Sequence, residues 1–279
     1  QSKLNELVEP AIYLCPNNFL IDQTCHQAKQ FGIRYCTTVD GALPDEFLNG
    51  KALLITSVQK MFNGRTKFQL GQQSMPVSYI LMDDAHACID AIRDAFSIRV
   101  ESESPAYQRI LQLFTQALTD QGAGTFADLK LGNPDCLLPI PYWDWHEKHA
   151  EVIKILSDTV NTESEKKTNK ANIWFVWPLL KDMIHQCQCV VSGHALEIAP
   201  YLPPLDVFGS FCKAKHRVFM SATVTNDAFL VKGLRLSVET ITNPLTYKEE
   251  RWSGEKMILI PSLIHESLDR STVVNDFGL

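Results

Sequence analysis

The sequence predicts an α/β fold in which a parallel sheet is flanked by helices and interrupted by a mostly helical insertion. Short apolar runs alternate with short helical segments over the first 90 residues or so, a rhythm typical of βαβ units in a sheet covered on both faces. The rhythm stops near residue 90 and returns near residue 215. The 279 residues are 45% hydrophobic and 21% charged, which suits one large domain or one domain with a large insertion.

The first part of the chain contains four strand candidates. The run AIYLC ends at Pro16, and a helix predicted for residues 18–31 stops at Gly32. A helical turn comes after the third run, and a helix is predicted for residues 88–95. The four predicted strands cover residues 11–15, 33–39, 51–57 and 77–84.

The second part is predicted to be mainly helical until the strand rhythm resumes. Residues 105–121 and 145–159 have the pattern of amphipathic helices, and the charged stretch 161–170 is predicted to be a link after the second of them. The apolar, aromatic stretch 172–187 is interpreted as a buried helix broken at its start by Pro178 or as a surface for a partner. Further strands are predicted within residues 215–224 and 256–262.

Charge and apolar run length restrict the classes of partner. The net charge of −6 gives no overall basic footprint for nucleic acid, although a local basic groove stays open. No apolar run approaches the roughly 18 residues of a membrane span, so we expect no membrane partner.

The cysteines are scattered and form no C-x-x-C pair, which argues against a zinc ribbon. We expect free thiols in a reducing cytoplasm, or in the nucleus if the source is eukaryotic, and we keep an iron–sulfur cluster as the alternative. The eight positions are Cys15, Cys25, Cys36, Cys88, Cys136, Cys187, Cys189 and Cys212.

Two adjacent carboxylates, Asp83 and Asp84, end the predicted strand 77–84 and are followed by His86. Ligands of open α/β sheets bind at the carboxyl ends of strands, where one or two carboxylates can hold a hydrated Mg²⁺ on nucleotide phosphates. The alternative is a solvated turn with an aspartate that caps the next helix. The strand HRVFMSAT ends in the hydroxyls of Ser221 and Thr223, which can hydrogen-bond a carboxylate or imidazole on the adjacent strand.

These segments together resemble the first motor domain of a superfamily-two helicase of the DEAD/DEAH-box type. YLCPNNFLIDQ at 13–23 resembles motif Ia, and LLITSVQKMFNG at 53–64 resembles the next segment that contacts nucleic acid. DDAH at 83–86 is similar to the DEAH box and SAT at 221–223 to motif III. The resemblance implies a RecA-like sheet that uses ATP and Mg²⁺, and the long insertion resembles that of the XPD-like branch.

The resemblance also implies a role for each matching residue. Asp83 would hold Mg²⁺ through water, and Asp84 stands where the family has the glutamate that positions the attacking water. Asp84 is one methylene shorter, and a displacement of about 1 Å can cost about 10²-fold in rate. His86, Ser221, Ala222 and Thr223 would couple nucleotide state to nucleic-acid binding.

Nucleic acid would be held by a second set of positions, through phosphate contacts that carry no sequence information. Lys60 and Arg65 are nearby cations for which a plain surface charge is the favoured interpretation. The positions that would face the phosphodiester backbone are Pro16, Asn17, Thr56 and Ser57.

The phosphate loop G-x-x-x-x-G-K-[ST] does not occur in the sequence. The expectation is therefore an internal piece of a helicase, inactive by itself as an ATP hydrolase, in which residues 1–89 and 206–262 form an incomplete ATP-binding domain. Residues 90–205 would be the insertion and residues 263–279 the start of a linker to a second motor domain.

This expectation leaves three candidate functions. The leading one is a segment of an ATP-dependent motor that separates DNA, or RNA, strands. The alternatives are a degenerate helicase-fold scaffold or nucleic-acid-binding module, and a magnesium-dependent hydrolase without nucleotide.

The insertion contains the aromatic stretch PYWDWHEKH at 141–149. Helix packing onto the core is the favoured interpretation of this stretch. Stacking on single-stranded bases, metal binding and a protein partner bound through the insertion are the alternatives.

Overall fold

The computed structural model describes residues 9–39, 41–161, 170–221 and 228–245. The chain divides into two compact units, Gln1–Ile241 and Thr242–Leu279. Only residues 242–245 of the second unit are among those described, so the predicted strand at 256–262 and the predicted linker at 263–279 lie outside them. The predicted link at 161–170 lies almost wholly outside as well.

The described residues contain strands and helices in the order that an α/β fold requires. The strands are β1 Ala11–Cys15, β2 Tyr35–Cys36, β3 Leu53–Ser57, β4 Tyr79–Met82, β5 Ile98–Glu101, β6 Leu137–Pro139, β7 Cys187–Ser192, β8 Ala195–Pro200 and β9 His216–Phe219. The helices are α1 Asn18–Gln30, α2 Asp45–Leu48, α3 Val58–Met61, α4 Ala85–Asp94, α5 Pro105–Leu113, α6 Thr115–Lys130, α7 Tyr142–Asn161, α8 Lys170–Leu180, α9 Gly209–Cys212, α10 Ala228–Lys232 and α11 Val238–Thr242.

A five-stranded parallel sheet in the order β2-β3-β1-β4-β9 forms the centre of the first unit. Helices flank it, and this arrangement confirms the predicted α/β class and is consistent with a RecA-like fold. Alternation along β3 explains the two faces, since Leu54 enters the larger core while Leu53 and Ile55 enter the smaller core beside α1. The predicted insertion, residues 90–205, lies in the chain between β4 and β9.

The insertion contains helices α5 to α8 and also an antiparallel sheet that the sequence analysis did not predict. The order of this sheet is β5-β8-β7-β6. Its first and last strands in chain order, β5 and β8, pair with Ile98 opposite Ile198. The two ends of the insertion therefore lie side by side.

Several predicted helices differ in their bounds. The single helix expected at 105–121 is two helices, α5 and α6, because the chain turns at Phe114, which is fully buried. The stretch 172–187 is helical only to Leu180 and then passes through a 3-10 turn, Ile184–Gln186, into β7. Pro178 lies near the end of α8, so the expected break at the start of the helix is wrong.

Candidate functional site

The carboxyl ends of four parallel strands meet at one edge of the sheet. The register places Leu14 opposite Met82, Met82 opposite Phe219, and Cys15 opposite Ser57. Asp83 directly follows β4, Ser221 lies just after β9, and Pro16 and Asn17 follow β1. The structure thus brings together the segments that the sequence analysis singled out.

Asp83 is half-buried and held by its neighbours. Its backbone N–H donates to the Leu14 carbonyl at 3.0 Å, and its Oδ1 accepts from the backbone N–H of Asp84 at 3.0 Å. The hydroxyl of Tyr13 lies beside the same carboxylate. Burial and the charge of Asp83 raise the pKa of Tyr13, so this phenol stays protonated beside the carboxylate.

Asp84 has a left-handed backbone conformation, with φ of 44° and ψ of 65°. Few non-glycine residues adopt this region, and aspartate is among those that tolerate it best. Asp84 occupies the N-cap position of α4, but its side chain makes no capping hydrogen bond. The capping alternative therefore does not account for this carboxylate, which is exposed at the end of the strand.

His86 links the first turn of α4 to the end of β9. Its Nδ1 lies 2.8 Å from Oγ of Ser221, and the backbone N–H of Ala85 donates to the Met220 carbonyl at 2.9 Å. The sequence predicts that a hydroxyl at this strand end can contact a carboxylate or imidazole on the adjacent strand. The structure has the contact with an imidazole, although His86 lies in the helix that follows β4. Ala222 and Thr223 lie outside the described residues.

The positions expected to face a phosphodiester backbone differ in exposure. Asn17 is exposed and caps α1, since its Oδ1 accepts from the Leu20 N–H at 3.0 Å. Pro16 is buried. Thr56 and Ser57 are 1% and 8% exposed, so neither hydroxyl is presented to a ligand at the surface. Among the described residues, Oγ1 of Thr56 has no hydrogen-bond partner.

The two candidate cations both have contacts within the chain. Lys60 is exposed, and its ammonium donates to Oγ1 of Thr38. Arg65 lies over the ring of Trp174 with its guanidinium carbon 3.6 Å from the ring centroid. Its Nε also donates to the Trp174 carbonyl at 3.3 Å.

A proline explains why that carbonyl accepts a hydrogen bond from outside the helix. Pro178 has no N–H, so the carbonyl four residues earlier, at Trp174, loses its helical donor. The neighbouring carbonyl of Phe175 accepts from the backbone N–H of Gly64 at 2.7 Å. The loop that ends the LLITSVQKMFNG segment is therefore attached to α8 of the insertion. The sequence analysis missed this contact, although Pro178 within an aromatic helix was a signal for it.

The aromatic stretch 141–149 divides between packing and exposure. Trp145 is buried, donates from Nε1 to the Ile184 carbonyl at 2.8 Å and stacks with Phe114. Tyr142 and Trp143 are 66% and 73% exposed. The favoured interpretation, packing, thus holds for Trp145.

The described residues contain no group of three or more histidine, cysteine, aspartate or glutamate residues that could hold a metal ion. All eight cysteines are free thiols. A hydrated Mg²⁺ on a nucleotide needs only one or two carboxylates, and Asp83 with Asp84 could provide them.

Within the described part of the chain, none of the helices combines the length and apolar character needed to cross a membrane. Comparison of the chain with models of protein families and with curated proteins gave no match.

Proposed function

We propose that the chain is a segment of an ATP-dependent helicase or translocase that acts on nucleic acid. The observation that supports the proposal most is the 2.8 Å contact between His86 Nδ1 and Ser221 Oγ. This contact joins the segments that follow two adjacent parallel strands, β4 and β9, and it lies beside the two carboxylates that follow β4. Open α/β sheets bind their ligands at this edge. The four segments that resemble helicase motifs also keep the order of that family along the chain.

The roles of the residues are inferred from their surroundings. A magnesium ion on the nucleotide phosphates would neutralise charge as the terminal phosphoryl group leaves. Asp83, whose backbone N–H donates to the Leu14 carbonyl, would accept hydrogen bonds from water on that ion. Asp84 would orient the attacking water, since its carboxylate is exposed and makes no capping hydrogen bond to α4.

His86 and Ser221 would transmit the nucleotide state between two strands. The imidazole leaves the first turn of α4, directly after the carboxylates, and its hydroxyl partner lies at the end of β9. A shift of Asp83 or Asp84 would therefore change the position of β9 through this hydrogen bond. Asn17 and Lys60, which are exposed, would contact phosphates, and binding would weaken as salt rises. We favour DNA over RNA on the resemblance of the insertion alone.

Hydrolysis of ATP by the full-length gene product, with and without single-stranded DNA or RNA, tests the proposal. We expect turnover stimulated by nucleic acid, and a loss of about 10- to 100-fold in Asp83→Ala because water-mediated ligands of metals have effects of that size. Asp90→Ala is the matched control, since Asp90 is exposed on α4 and pairs with Arg93 at 3.5 Å. Equal turnover in the two variants would exclude the role of Asp83.

A degenerate helicase fold that serves as a scaffold is the second candidate. Aspartate at position 84 and the burial of Thr56 and Ser57 favour it, since both weaken the machinery expected of a motor. Binding of nucleic acid without any ATP turnover by the full-length product would support this candidate over the motor. For either candidate we propose a reducing compartment, the cytoplasm or the nucleus of a eukaryote, because the eight thiols are free.

A further inference from the structure

A cavity of about 440 Å³ opens between α3, the loop after it, α4 and α8. Pockets that hold small molecules usually measure about 300–1,000 Å³. Its apolar walls include Phe62, Ala91 and Val176. Of the residues to which the proposed function gives a role, only Lys60 lines it.

Two side chains of opposite charge line this cavity, Lys60 and Asp94. The Lys60 ammonium has three donors and, among the described residues, donates only to Thr38. In the same part of the chain, the Asp94 carboxylate has no hydrogen-bond or ion-pair partner. Burial, followed by the nearby charges of Glu197 and Asp90, raises the pKa of Asp94. Asp94 is exposed at the edge of the cavity, so a ligand in the cavity that donates N–H groups can reach this carboxylate.

The rim of the cavity is held by hydrogen bonds within the chain. Asn63 donates to the carbonyls of Gln59 and Lys60 at 2.7 and 3.2 Å and accepts from the Arg65 N–H at 2.8 Å. Phe175 is 44% exposed, and its carbonyl is fixed by Gly64. An exposed aromatic ring on a fixed backbone is a stacking surface for a nucleobase.

We propose that this cavity binds one unstacked nucleobase of a single strand, and that it prefers guanine. Phe175 would stack on the base, Asp94 would accept hydrogen bonds from it, and Lys60 would contact an adjacent phosphate. The proposal rests on the proposed function, because it takes nucleic acid as the ligand. It adds a base-binding site to a segment expected to contact phosphates alone.

The preference for guanine is explained by the donors on each base. Guanine presents two adjacent donors, N1–H and the 2-amino group, which one carboxylate can accept together. Adenine and cytosine present one amino group beside a ring nitrogen acceptor, which would face Asp94 unfavourably. Asp90, Asp94 and Glu197 also repel phosphate from their side of the cavity, so the base and not the backbone enters there.

Fluorescence anisotropy with the purified chain tests the proposal. The probes are labelled dT 12-mers with one central dG, one central deoxyinosine, which lacks the 2-amino group, or one central dA. We expect the dG strand to bind about fivefold to tenfold more tightly than the other two, since a hydrogen bond to a charged group is then lost. Competition with unlabelled guanosine monophosphate shows whether the cavity takes the base of a free nucleotide or only a base within a strand.

Four variants assign the effect to residues. Asp94→Asn should abolish the preference for dG, whereas Asp90→Asn, on the same helix outside the cavity, should retain it. Phe175→Ala should weaken binding of all three strands. Lys60→Ala should weaken it too, and should also make the binding constant less dependent on salt, by the amount that about one phosphate contact contributes. Circular dichroism of each variant verifies the fold.

Equal affinities of the unmodified chain for the three strands, or a dG preference retained in Asp94→Asn, would overturn the inference. These results are distinguishable from failure of the proposed function. A full-length product that turns over ATP under nucleic-acid control, without a guanine preference, refutes the cavity alone. A guanine preference without any ATP turnover refutes the motor and leaves the cavity standing.

Discussion

Substitution of Gly64 by alanine tests the attachment of the 62–65 loop to α8. A Cβ atom at Gly64 would lie 2.6 Å from the Phe175 carbonyl oxygen and 2.8 Å from Cβ of Pro178. The first of these atoms is backbone, so the helix or the loop must move. Overpacking of this kind costs about 1–3 kcal/mol, and the displaced Gly64 to Phe175 hydrogen bond contributes about 1 kcal/mol. We expect the free energy of unfolding to fall by about 2–3 kcal/mol.

Urea unfolding followed by circular dichroism measures this change, and Gly124→Ala is its control. Gly124 lies in α6, and nothing lies within 4 Å of the Cβ position there. Alanine in an open helical site should stabilise the chain by about 0.5–1 kcal/mol. If Gly64→Ala were as stable as Gly124→Ala, the close contact between loop and helix would be refuted.

Three further predictions concern the strand edge and the thiols. A double-mutant cycle on His86→Ala and Ser221→Ala should give a coupling of about 0.5–1.5 kcal/mol in unfolding free energy, and additive effects would rule out the contact. Asp84→Glu should raise ATP turnover of the full-length product about tenfold or more by moving the carboxylate forward, and lower turnover would contradict the role of Asp84. Burial raises the pKa of Cys15 and Cys36 from 9.0 to about 11. The folded chain then favours the neutral thiols more than the unfolded chain does. The contribution of these thiols to the free energy of unfolding should therefore be complete below pH 9 and be lost as the pH rises to about 11. A flat unfolding free energy across that range, from urea titrations at successive pH values, would contradict this.

The parallel sheet was predictable because its buried strands are continuous apolar runs in the sequence. The run 11–15 predicted β1 with its bounds, and 51–57 and 77–84 contain β3 and β4. The run 33–39 contains a strand of only two residues, β2, because β2 pairs with β3 alone and its neighbours turn away to α2. Local pattern identifies a strand, whereas its length depends on the partner.

The antiparallel sheet was missed although β7 carries a signal. Its residues alternate between buried and more exposed from Cys187 to Ser192, and Gly193-His194 then forms the turn into β8. The aromatic residues before it suggested one long helix instead. A strand in which buried and exposed residues alternate cannot be told from the end of an apolar helix directly before it, unless the last residue of that helix is known.

The sequence was enough to predict which residues form the site, but not how far their side chains are exposed. Asp83, His86 and Ser221 come after strands whose ends meet, so order along the chain was enough to place them. The use of Arg65 depends on α8, which lies over a hundred residues later in the sequence, and the burial of Thr56 depends on packing around β3. Contacts of that kind arise from tertiary structure. Pro178 marks a carbonyl of α8 that lacks its helical donor, but the sequence does not say which residue contacts it.

The pairing of Ile98 with Ile198 has a consequence for how the chain reaches its topology. Antiparallel partners have Cα atoms about 5 Å apart, so a folded insertion brings its two ends together. Closing a loop costs entropy that grows with the logarithm of its length. Once β5 and β8 have paired, β9 joins β4 by closing two short connections rather than one long flexible loop. The insertion would then fold first, and its paired ends would hold β4 and β9 close enough to become neighbours although they are distant in sequence.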